Sequence, residues 1–198
     1  MMRRKHCEIT DPERIRAVLS STNIGRLATN GADGYPYITP VNYVYHGGSI
    51  YFHCAPEGEK LDNIARDPRV CFEVDIPLAY LDFGYARTVG RVHQFYHCVL
   101  IRGEARIVGD GPLKVEALNA LVAKHEKGFD FEKVNEDMPA YRACKVVEIR
   151  PRTISAKSDL AQNRSDEERE AIARYLKARG LEKDMETAEV LGRDQSAF

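Results

Sequence analysis

Alternating apolar and polar residues predict strands along much of this chain. Between Cys98 and Val108 the alternation predicts one long strand. In the shorter predicted strand Ser49 to Cys54, a period of two places Phe52 on a core face and Tyr51 and His53 on the opposite face. Further strands are predicted over residues 25–29, 35–45, 69–75 and 144–149.

Helix signals separate and flank these strands. Thr10 to Glu13 combines capping residues, a proline and an acidic group, and predicts a first helix that ends near residues 20–22. A short helix is predicted over Glu59 to Arg66, where Asp67-Pro68 stops it. Another is predicted from about Pro112 to Lys127, and its apolar stripe comprises Leu118, Leu121, Val122 and His125.

The last predicted helix has the clearest ends. Ser165 and Glu168 form a capping box, and Gly180 is a typical C-terminal stop, so the helix spans about 165–179. Residues from about Asp184 are predicted to form a tail. Residues 76–96 are aromatic and lack a clear period, which predicts a long loop acting as a flap or a dimer contact.

Short strands joined by tight turns favour an antiparallel barrel over a sheet of βαβ units. The strand from Tyr35 to Tyr45 contains Pro36 and Pro40. Because proline cannot donate a hydrogen bond to a neighbouring strand, we expect this strand to lie at an edge or to carry a bulge.

Composition and charge exclude several classes of protein. The chain has 29 basic and 30 acidic residues, and this balance argues against nucleic acid as a partner. No apolar run approaches the ~20 residues that a membrane helix needs, and no secretory signal is evident, so we expect a cytoplasmic protein without a membrane partner. Five cysteines without a Cys-x-x-Cys pair argue against a disulfide framework and a structural zinc site.

Two segments carry candidate chemistry. Between Tyr51 and Lys60 a strand ends, a glycine-containing loop follows and a helix begins, which suits a phosphate that Lys60 would help to hold. An ordinary surface loop with an exposed lysine explains this segment about as well. Between Tyr37 and Tyr43, Pro40 leaves backbone groups without strand partners, so they could face a flat heteroaromatic ring; a plain edge strand explains those residues better.

Five short motifs occur in an order that resembles the pyridoxamine-phosphate-oxidase-related FMN-binding proteins. They are Gly25–Thr29, Pro36-Tyr37 with Pro40-Val41-Asn42, His53-x-Ala55-x-x-Gly58-x-Lys60, Asp67–Val70, and Cys98-Val99 with Gly103. Within that family the chain most resembles the nitroimidazole-resistance (Nim-type) branch. The resemblance covers about residues 5 to 155.

This resemblance implies a mainly β fold, a six-stranded antiparallel split β-barrel with flanking helices and a C-terminal helix. It implies an FMN-binding domain over residues 1–157, and residues 158–198 would form a C-terminal helix and tail. It further implies a homodimer that holds FMN at its interface. The implied cofactor contacts are Ile38, Thr39, Pro40, Val41, Asn42, Tyr43, His53, Cys54, Ala55, Gly58, Lys60 and Cys98.

The resemblance also implies a role for each group of contacts. Residues 38–43 would line the isoalloxazine ring with backbone groups, His53 and Cys54 would lie beside the ribityl chain and phosphate, and Lys60 would bind the phosphate. Cys98 departs from the family, whose members often have Ser or Gln there, and a thiol is a weaker hydrogen-bonding group. His53 matches a residue close to the flavin, where an imidazole can transfer a proton or only contact the cofactor.

These observations predict a flavin-dependent oxidoreductase that acts on a small molecule, with nitroaromatic compounds as the class suggested by the Nim-type branch. A non-catalytic flavin-binding or redox-sensing protein is the first alternative, in which Cys54 and Cys98 would matter more. A haem-binding split-barrel relative, with His53, His93 or His97 as ligand, is the second. His93 and His97 lack a third ligand at a matching spacing, so no other metal site is predicted. Pyridoxamine-phosphate oxidation itself is disfavoured because that enzyme's C-terminal signature is not evident.

Overall fold

A computed structural model describes residues 4–192. The strands are β1 (Glu8–Ile9), β2 (Ile24–Asn30), β3 (Pro36–His46), β4 (Ser49–Cys54), β5 (Arg69–Leu81), β6 (His93–Val108) and β7 (Lys145–Asp159). The helices are α1 (Pro12–Ser21), α2 (Glu59–Arg66), α3 (Phe83–Ala86), α4 (Pro112–His125), α5 (Pro139–Ala143), α6 (Asp166–Arg179) and α7 (Asp184–Leu191). Short 3₁₀ turns span Lys5–Cys7 and Val89–Arg91.

The chain divides into two compact units. The barrel unit comprises Leu19–Val74 and Leu100–Ile154. The helical unit comprises Asp75–Val99 and, within the described part of the chain, residues 4–18 and 155–192. The three long strands β5, β6 and β7 contribute residues to both units.

All six predicted strands are present, and each of them contributes residues to the barrel unit. Their order is β7-β4-β3-β2-β5-β6, and an additional pairing between β7 and β6 closes the barrel. The backbone N–H of Ala105 in β6 donates to the carbonyl of Pro68 just before β5, at 2.8 Å. Inside, the Tyr43 and Phe72 rings meet edge to face with centroids 4.9 Å apart. The predicted antiparallel split barrel is therefore confirmed.

A second layer of side chains packs α4 and α5 against the strands of the barrel unit. The buried members of this layer are Val44, Tyr51, Val108, Ala117, Leu118, Leu121, Tyr141 and Val146. Tyr51 belongs to it although the alternation placed Tyr51 opposite the core. Because β4 packs on both of its faces, the prediction of one core face for this strand is incomplete.

The helical unit is organised around α6 and α7. Its buried apolar residues include Leu78, Leu81, Phe95, Ile172, Leu176 and Leu191. Ser165 accepts a hydrogen bond from the backbone N–H of Glu168 at 3.2 Å, and Gly180 adopts a left-handed conformation at the end of α6, so both predicted helix ends are confirmed. Strand β1 pairs with β7, with Glu8 opposite Lys157, and is a seventh strand that the sequence did not predict.

Two predictions about irregular segments are wrong. Residues 76–96 are not one long loop, because β5 continues to Leu81, α3 and a 3₁₀ turn follow, and β6 begins at His93. The predicted tail begins with a helix, α7, and the part of that tail from 193 to 198 lies outside the described residues. Among the helices of residues 4–192, none has the length and apolar character needed to cross a membrane.

Candidate functional site

The segment predicted to bind a phosphate joins the end of β4 to the start of α2. Gly58 precedes the first helical residue with a φ of 140°, a value that residues with a side chain rarely adopt. Its carbonyl accepts a hydrogen bond from the N–H of Leu61 at 2.8 Å, so the helix begins directly after this glycine. The N–H groups of the first turn therefore lie at the positive end of α2, beside the loop.

A polar cavity of about 420 Å³ opens beside this loop. It is lined by Pro40, Val41, Asn42, His53, Cys54, Ala55 and Lys60. All seven are among the cofactor contacts that the family resemblance implies, and they come from β3, the end of β4, the loop and α2. The fold thus brings most of the predicted site residues to one place.

Strand β3 contributes an edge that is paired on one side. Its ladder with β2 runs from Pro36 to Asn42, whereas its ladder with β4 covers only Tyr43 to His46. Strand β4 continues to Cys54 but pairs there only with β7, so the backbone of residues 40–42 faces the polar cavity along the side where the β3–β4 ladder has ended. The prediction of an edge strand is wrong for β3 as a whole, because β3 lies between β4 and β2 in the sheet. Only its residues 36–42 are paired on one side, and Pro40 lies opposite Arg26 in the ladder with β2.

The charges around the polar cavity favour an anion. Lys60 is half-buried in the lining, whereas the side chains of Glu57 and Glu59 are exposed to solvent. The two acidic residues therefore do not need to be buried against a bound anion. Burial raises the pKa of the Cys54 thiol, which the positive charge of Lys60 only partly opposes, so Cys54 is a neutral thiol at pH 7.

The remaining predicted contacts are placed differently. Ile38 lies on the same strand with 63% of its surface exposed, and Thr39 is half-buried beside it. Tyr43 is fully buried, and its hydroxyl donates to the carbonyl of Leu19 at 2.7 Å, so only its backbone is available to a ligand. Gly58 does not line the cavity, and its contribution is to set where α2 begins. Cys98 belongs to the helical unit.

A second, apolar cavity of about 500 Å³ shares Asn42 and His53 with the polar cavity. The other lining residues are Leu118, Leu121, Val122, His125, Glu126, Val134, Ala140, Tyr141, Ala143 and Cys144. The four residues of the predicted α4 stripe all contribute to this wall. The sequence identified them as a stripe and gave no indication that they line a cavity.

His125 is the polar exception in that stripe. Burial is the main cause that lowers the pKa of its imidazole, and the charge of Lys124 adds to the effect, while a hydrogen bond to the Tyr43 backbone opposes it. The Nε2 atom is buried and has no hydrogen-bond partner among residues 4–192. A histidine within an otherwise apolar helical stripe is the only signal by which the sequence could have indicated this position.

Two of the three histidines considered as haem ligands, His93 and His97, make polar contacts within the helical unit. A ring nitrogen of His93 lies 3.0 Å from a carboxylate oxygen of Asp159, and Nδ1 of His97 lies 2.8 Å from the hydroxyl of Ser158. His53, by contrast, is exposed at the wall shared by the two cavities. Of these three imidazoles, His53 is therefore the one that faces the candidate site.

Comparison with known families gives one match over most of the chain. The family model of pyridoxamine 5'-phosphate oxidase matches residues 11–158. That range contains β2 to β6, all of β7 except Asp159, and every predicted site residue. Among curated proteins, no sequence matches the chain.

Solved structures share this fold at low sequence identity. A candidate 5-nitroimidazole antibiotic resistance protein from Bacteroides thetaiotaomicron is 22% identical with a TM-score of 0.63, over 76% of this chain and 85% of its own. The flavocytochrome Anf3 from Azotobacter vinelandii is 20% identical with a TM-score of 0.66, over 80% and 72%. The FAD and heme binding protein from Mycobacterium smegmatis is 17% identical with a TM-score of 0.66, over 76% and 72%.

Proposed function

Because the chain belongs to the pyridoxamine 5'-phosphate oxidase family, we propose that its polar cavity binds FMN and that the protein is a flavin-dependent oxidoreductase. The observation that carries this proposal is the composition of that cavity. A one-sided strand edge, the start of a helix and a lysine all line the same space. These are the groups that a flat heteroaromatic ring linked to a phosphate requires.

The phosphate is assigned to the α2 end of the cavity. The N–H groups of Glu59 and Lys60 at the start of α2 would face the phosphate there, because those of Leu61 and Asp62 already donate to the Gly58 carbonyl, and the Lys60 side chain adds a positive charge. Gly58 contributes through its φ of 140°, which sets where α2 begins. Ala55, the small residue that follows β4, leaves space for the phosphate at the start of the loop.

The ring is assigned to the edge of β3. Backbone groups of residues 40–42 are available on the side where the ladder with β4 has ended, and they match a ring that both donates and accepts hydrogen bonds. Val41 contributes an apolar surface, and Asn42 contributes an exposed amide. When bound, the flavin would supply hydride transfer, while the protein orients it and leaves one face open to a substrate.

His53 is assigned the proton transfer that accompanies reduction of a small substrate. Its exposed imidazole lines both cavities, so one ring nitrogen can reach a molecule in the apolar cavity while the cofactor occupies the polar one. In the His53→Gln variant we expect kcat to fall about 100-fold with little change in FMN affinity. An equal loss of FMN affinity would instead make His53 a cofactor contact.

We further propose that two copies of the chain form a homodimer with FMN at the interface. The polar cavity is open to solvent on one side, and a second protomer would cover a ring placed there. Nitroaromatic compounds remain the proposed substrate class, because one structural relative is a candidate nitroimidazole resistance protein.

Titration with FMN tests the cofactor assignment. Flavin fluorescence would be followed on the wild-type protein and on the Lys60→Ala and Lys177→Ala variants. Lys177 is an exposed lysine on α6, so its variant loses the same charge outside the site. We expect Lys60→Ala to weaken binding by about tenfold or more and Lys177→Ala to leave it unchanged. A wild-type protein that ignores FMN, or equal affinities in the two variants, would refute the proposal.

The other candidate functions give different results in the same preparation. A redox sensor needs a reactive thiolate, and the raised pKa of Cys54 disfavours that role. Steady turnover with a reductant and a nitroaromatic acceptor would separate an enzyme from a non-catalytic flavin carrier. Two structural relatives are named for haem as well as flavin, and a Soret band that His53→Ala abolishes would identify a haem protein.

A further inference from the structure

The apolar cavity is large enough for a ring compound. A dry cavity of about 150 Å³ holds a benzene molecule, and this one measures about 500 Å³. Most of its wall is aliphatic and comes from α4 and α5, with Leu118, Leu121 and Val122 on the α4 side. We therefore expect its occupant to be a flat and mainly apolar molecule of more than one ring.

One polar atom in this wall lacks a partner. The ring of His125 makes a hydrogen bond to the backbone of Tyr43. The Tyr43 carbonyl is the partner, because the Tyr43 N–H already donates to the carbonyl of Asn23. A bond that a carbonyl accepts also raises the imidazole pKa, as this bond does. Since Nε2 has no partner in the described part of the chain, Nδ1 makes that bond and carries the proton. Nε2 then presents a lone pair, and a buried acceptor without a donor costs free energy.

We propose that the apolar cavity is the substrate pocket of this flavoenzyme and that it selects a neutral aromatic compound whose N–H or O–H group donates to Nε2 of His125. The redox part of this inference rests on the proposed function. The shared residues Asn42 and His53 place such a compound directly beside the polar cavity.

The charges around the cavity exclude a phosphorylated or carboxylated substrate. Glu126 is the one charged residue among its lining residues, and its carboxylate would repel an anion. The neighbouring Lys124 cannot neutralise a buried anion there, because its ammonium is held over the Tyr43 ring and donates to the carbonyl of Leu19. A charged group placed against the aliphatic wall would have no partner to offset its desolvation.

Binding of two matched probes tests the selection directly. Naphthol carries the required O–H donor, and its methyl ether has the same rings without it. Affinity for each would be measured by calorimetry on the wild-type protein, with and without FMN. We expect naphthol to bind about tenfold more tightly than the ether, because the ether leaves Nε2 unsatisfied. Equal affinities, or no binding of either probe, would overturn the proposal without any variant.

Three variants test whether His125 causes the preference for naphthol over its methyl ether. His125→Phe keeps an aromatic ring and removes the acceptor, so it should abolish the preference for naphthol. Val122→Phe places a larger side chain in the wall and should weaken both probes about equally. His46→Phe changes a half-buried histidine that pairs with Glu116 outside the cavity, and it should leave both affinities as in the wild type. A preference for naphthol that persists in His125→Phe would contradict the assignment of Nε2.

The two proposals fail in distinguishable ways. If FMN binds but the probes do not differ, the substrate class is wrong and the cofactor assignment stands. If naphthol is preferred but FMN does not bind, the cavity is a binding site and the flavoenzyme assignment is wrong. If both bind, a nitronaphthalene that carries a hydroxymethyl group, whose O–H stays neutral, should show a lower KM than its methyl ether, and His125→Phe should remove that difference.

Discussion

The ammonium nitrogen of Lys124 lies 3.6 Å from the centre of the Tyr43 ring and donates to the carbonyl of Leu19 at 3.3 Å. The side chain is half-buried, and burial is the main cause that lowers its pKa to about 8. This cation thus lies behind the β3 edge that lines the polar cavity, next in sequence to His125. Its protonation links the stability of the barrel unit to pH.

We predict that Lys124→Met removes a rise in stability at alkaline pH. Between about pH 8 and the unfolded pKa of about 10.4, the unfolded chain holds a proton that the folded chain has lost, so the free energy of unfolding increases with pH. Because the side chain is only half-buried, solvent screening limits the rise to about 1 kcal/mol. Urea unfolding at about pH 7.5 and about pH 10 measures it.

The exposed Lys177 provides the control for that experiment. Lys177→Met should keep the wild-type difference between the two pH values, since this lysine lies on the exposed face of α6. If Lys124→Met also keeps the difference, the buried ammonium is not its source.

Glu148 on β7 has a buried carboxylate that makes hydrogen bonds or ion pairs with four neighbouring side chains. It accepts from the hydroxyls of Ser49 at 3.2 Å and Tyr51 at 3.1 Å and pairs with Arg106 at 2.5 Å and Arg150 at 3.1 Å. Burial alone would raise the pKa of Glu148. The pKa is nevertheless lowered, because the two arginines and Tyr51 donate hydrogen bonds to the charged carboxylate.

We predict that Glu148→Gln lowers the free energy of unfolding by about 2 kcal/mol at pH 7, because both arginines lose their charge partner. In the wild type this contribution is present above the ordinary glutamate pKa and is lost as the pH falls through the lower folded pKa. The difference between wild type and variant should therefore shrink in acid. Denaturant unfolding at about pH 7 and about pH 3.5 tests both statements.

The exposed Glu116 serves for comparison. Glu116→Gln affects only a surface pair with His46 and should change stability by less than about 0.5 kcal/mol. A loss in Glu116→Gln as large as that in Glu148→Gln would show that the buried network contributes nothing specific.

The sequence predicted those elements whose signals are local. The ends of α6 follow from Ser165 and Gly180, and the six barrel strands follow from alternation and tight turns. The extension of β5 to Leu81 was missed because its apolar residues pack against residues that are distant in sequence, such as Ile172 and Leu176 in α6. Contacts of this kind produce no alternation of apolar and polar residues within the strand itself.

The same reasoning applies to the site. Its position was predictable because the loop before α2 is contiguous in sequence, and the family resemblance added residues 40–42 of β3. The apolar cavity was not predictable, since it requires α4, α5 and the end of β4 to meet. From the sequence alone, the stripe that includes Leu121 and His125 cannot be told from the apolar face of an ordinary amphipathic helix. Only the position of the opposite wall shows that it lines a cavity.

Gly103 allows β6 and β7 to approach closely where the barrel closes. A Cβ at this position would lie 2.2 Å from the carbonyl oxygen of Arg150, which is backbone and cannot move independently. We predict that Gly103→Ala lowers the free energy of unfolding by about 3 kcal/mol. Gly109→Ala, at a glycine whose Cβ would meet nothing within 4 Å, should be nearly neutral. Thermal unfolding of both variants measures the difference. Equal midpoints would mean that β6 and β7 can move apart at residue 103 without lowering the free energy of unfolding.

Gly58 tests the link between backbone conformation and cofactor binding. A Cβ here would contact nothing within 4 Å, so Gly58→Ala acts through its φ of 140° alone. We predict a loss of about 1–3 kcal/mol if the loop keeps its conformation, or a shifted start of α2 if it does not. Either response displaces the first-turn N–H groups, so FMN affinity should fall about tenfold, with Gly109→Ala as the unaffected control. Full FMN affinity in a destabilised Gly58→Ala protein would show that the phosphate does not bind at the start of α2.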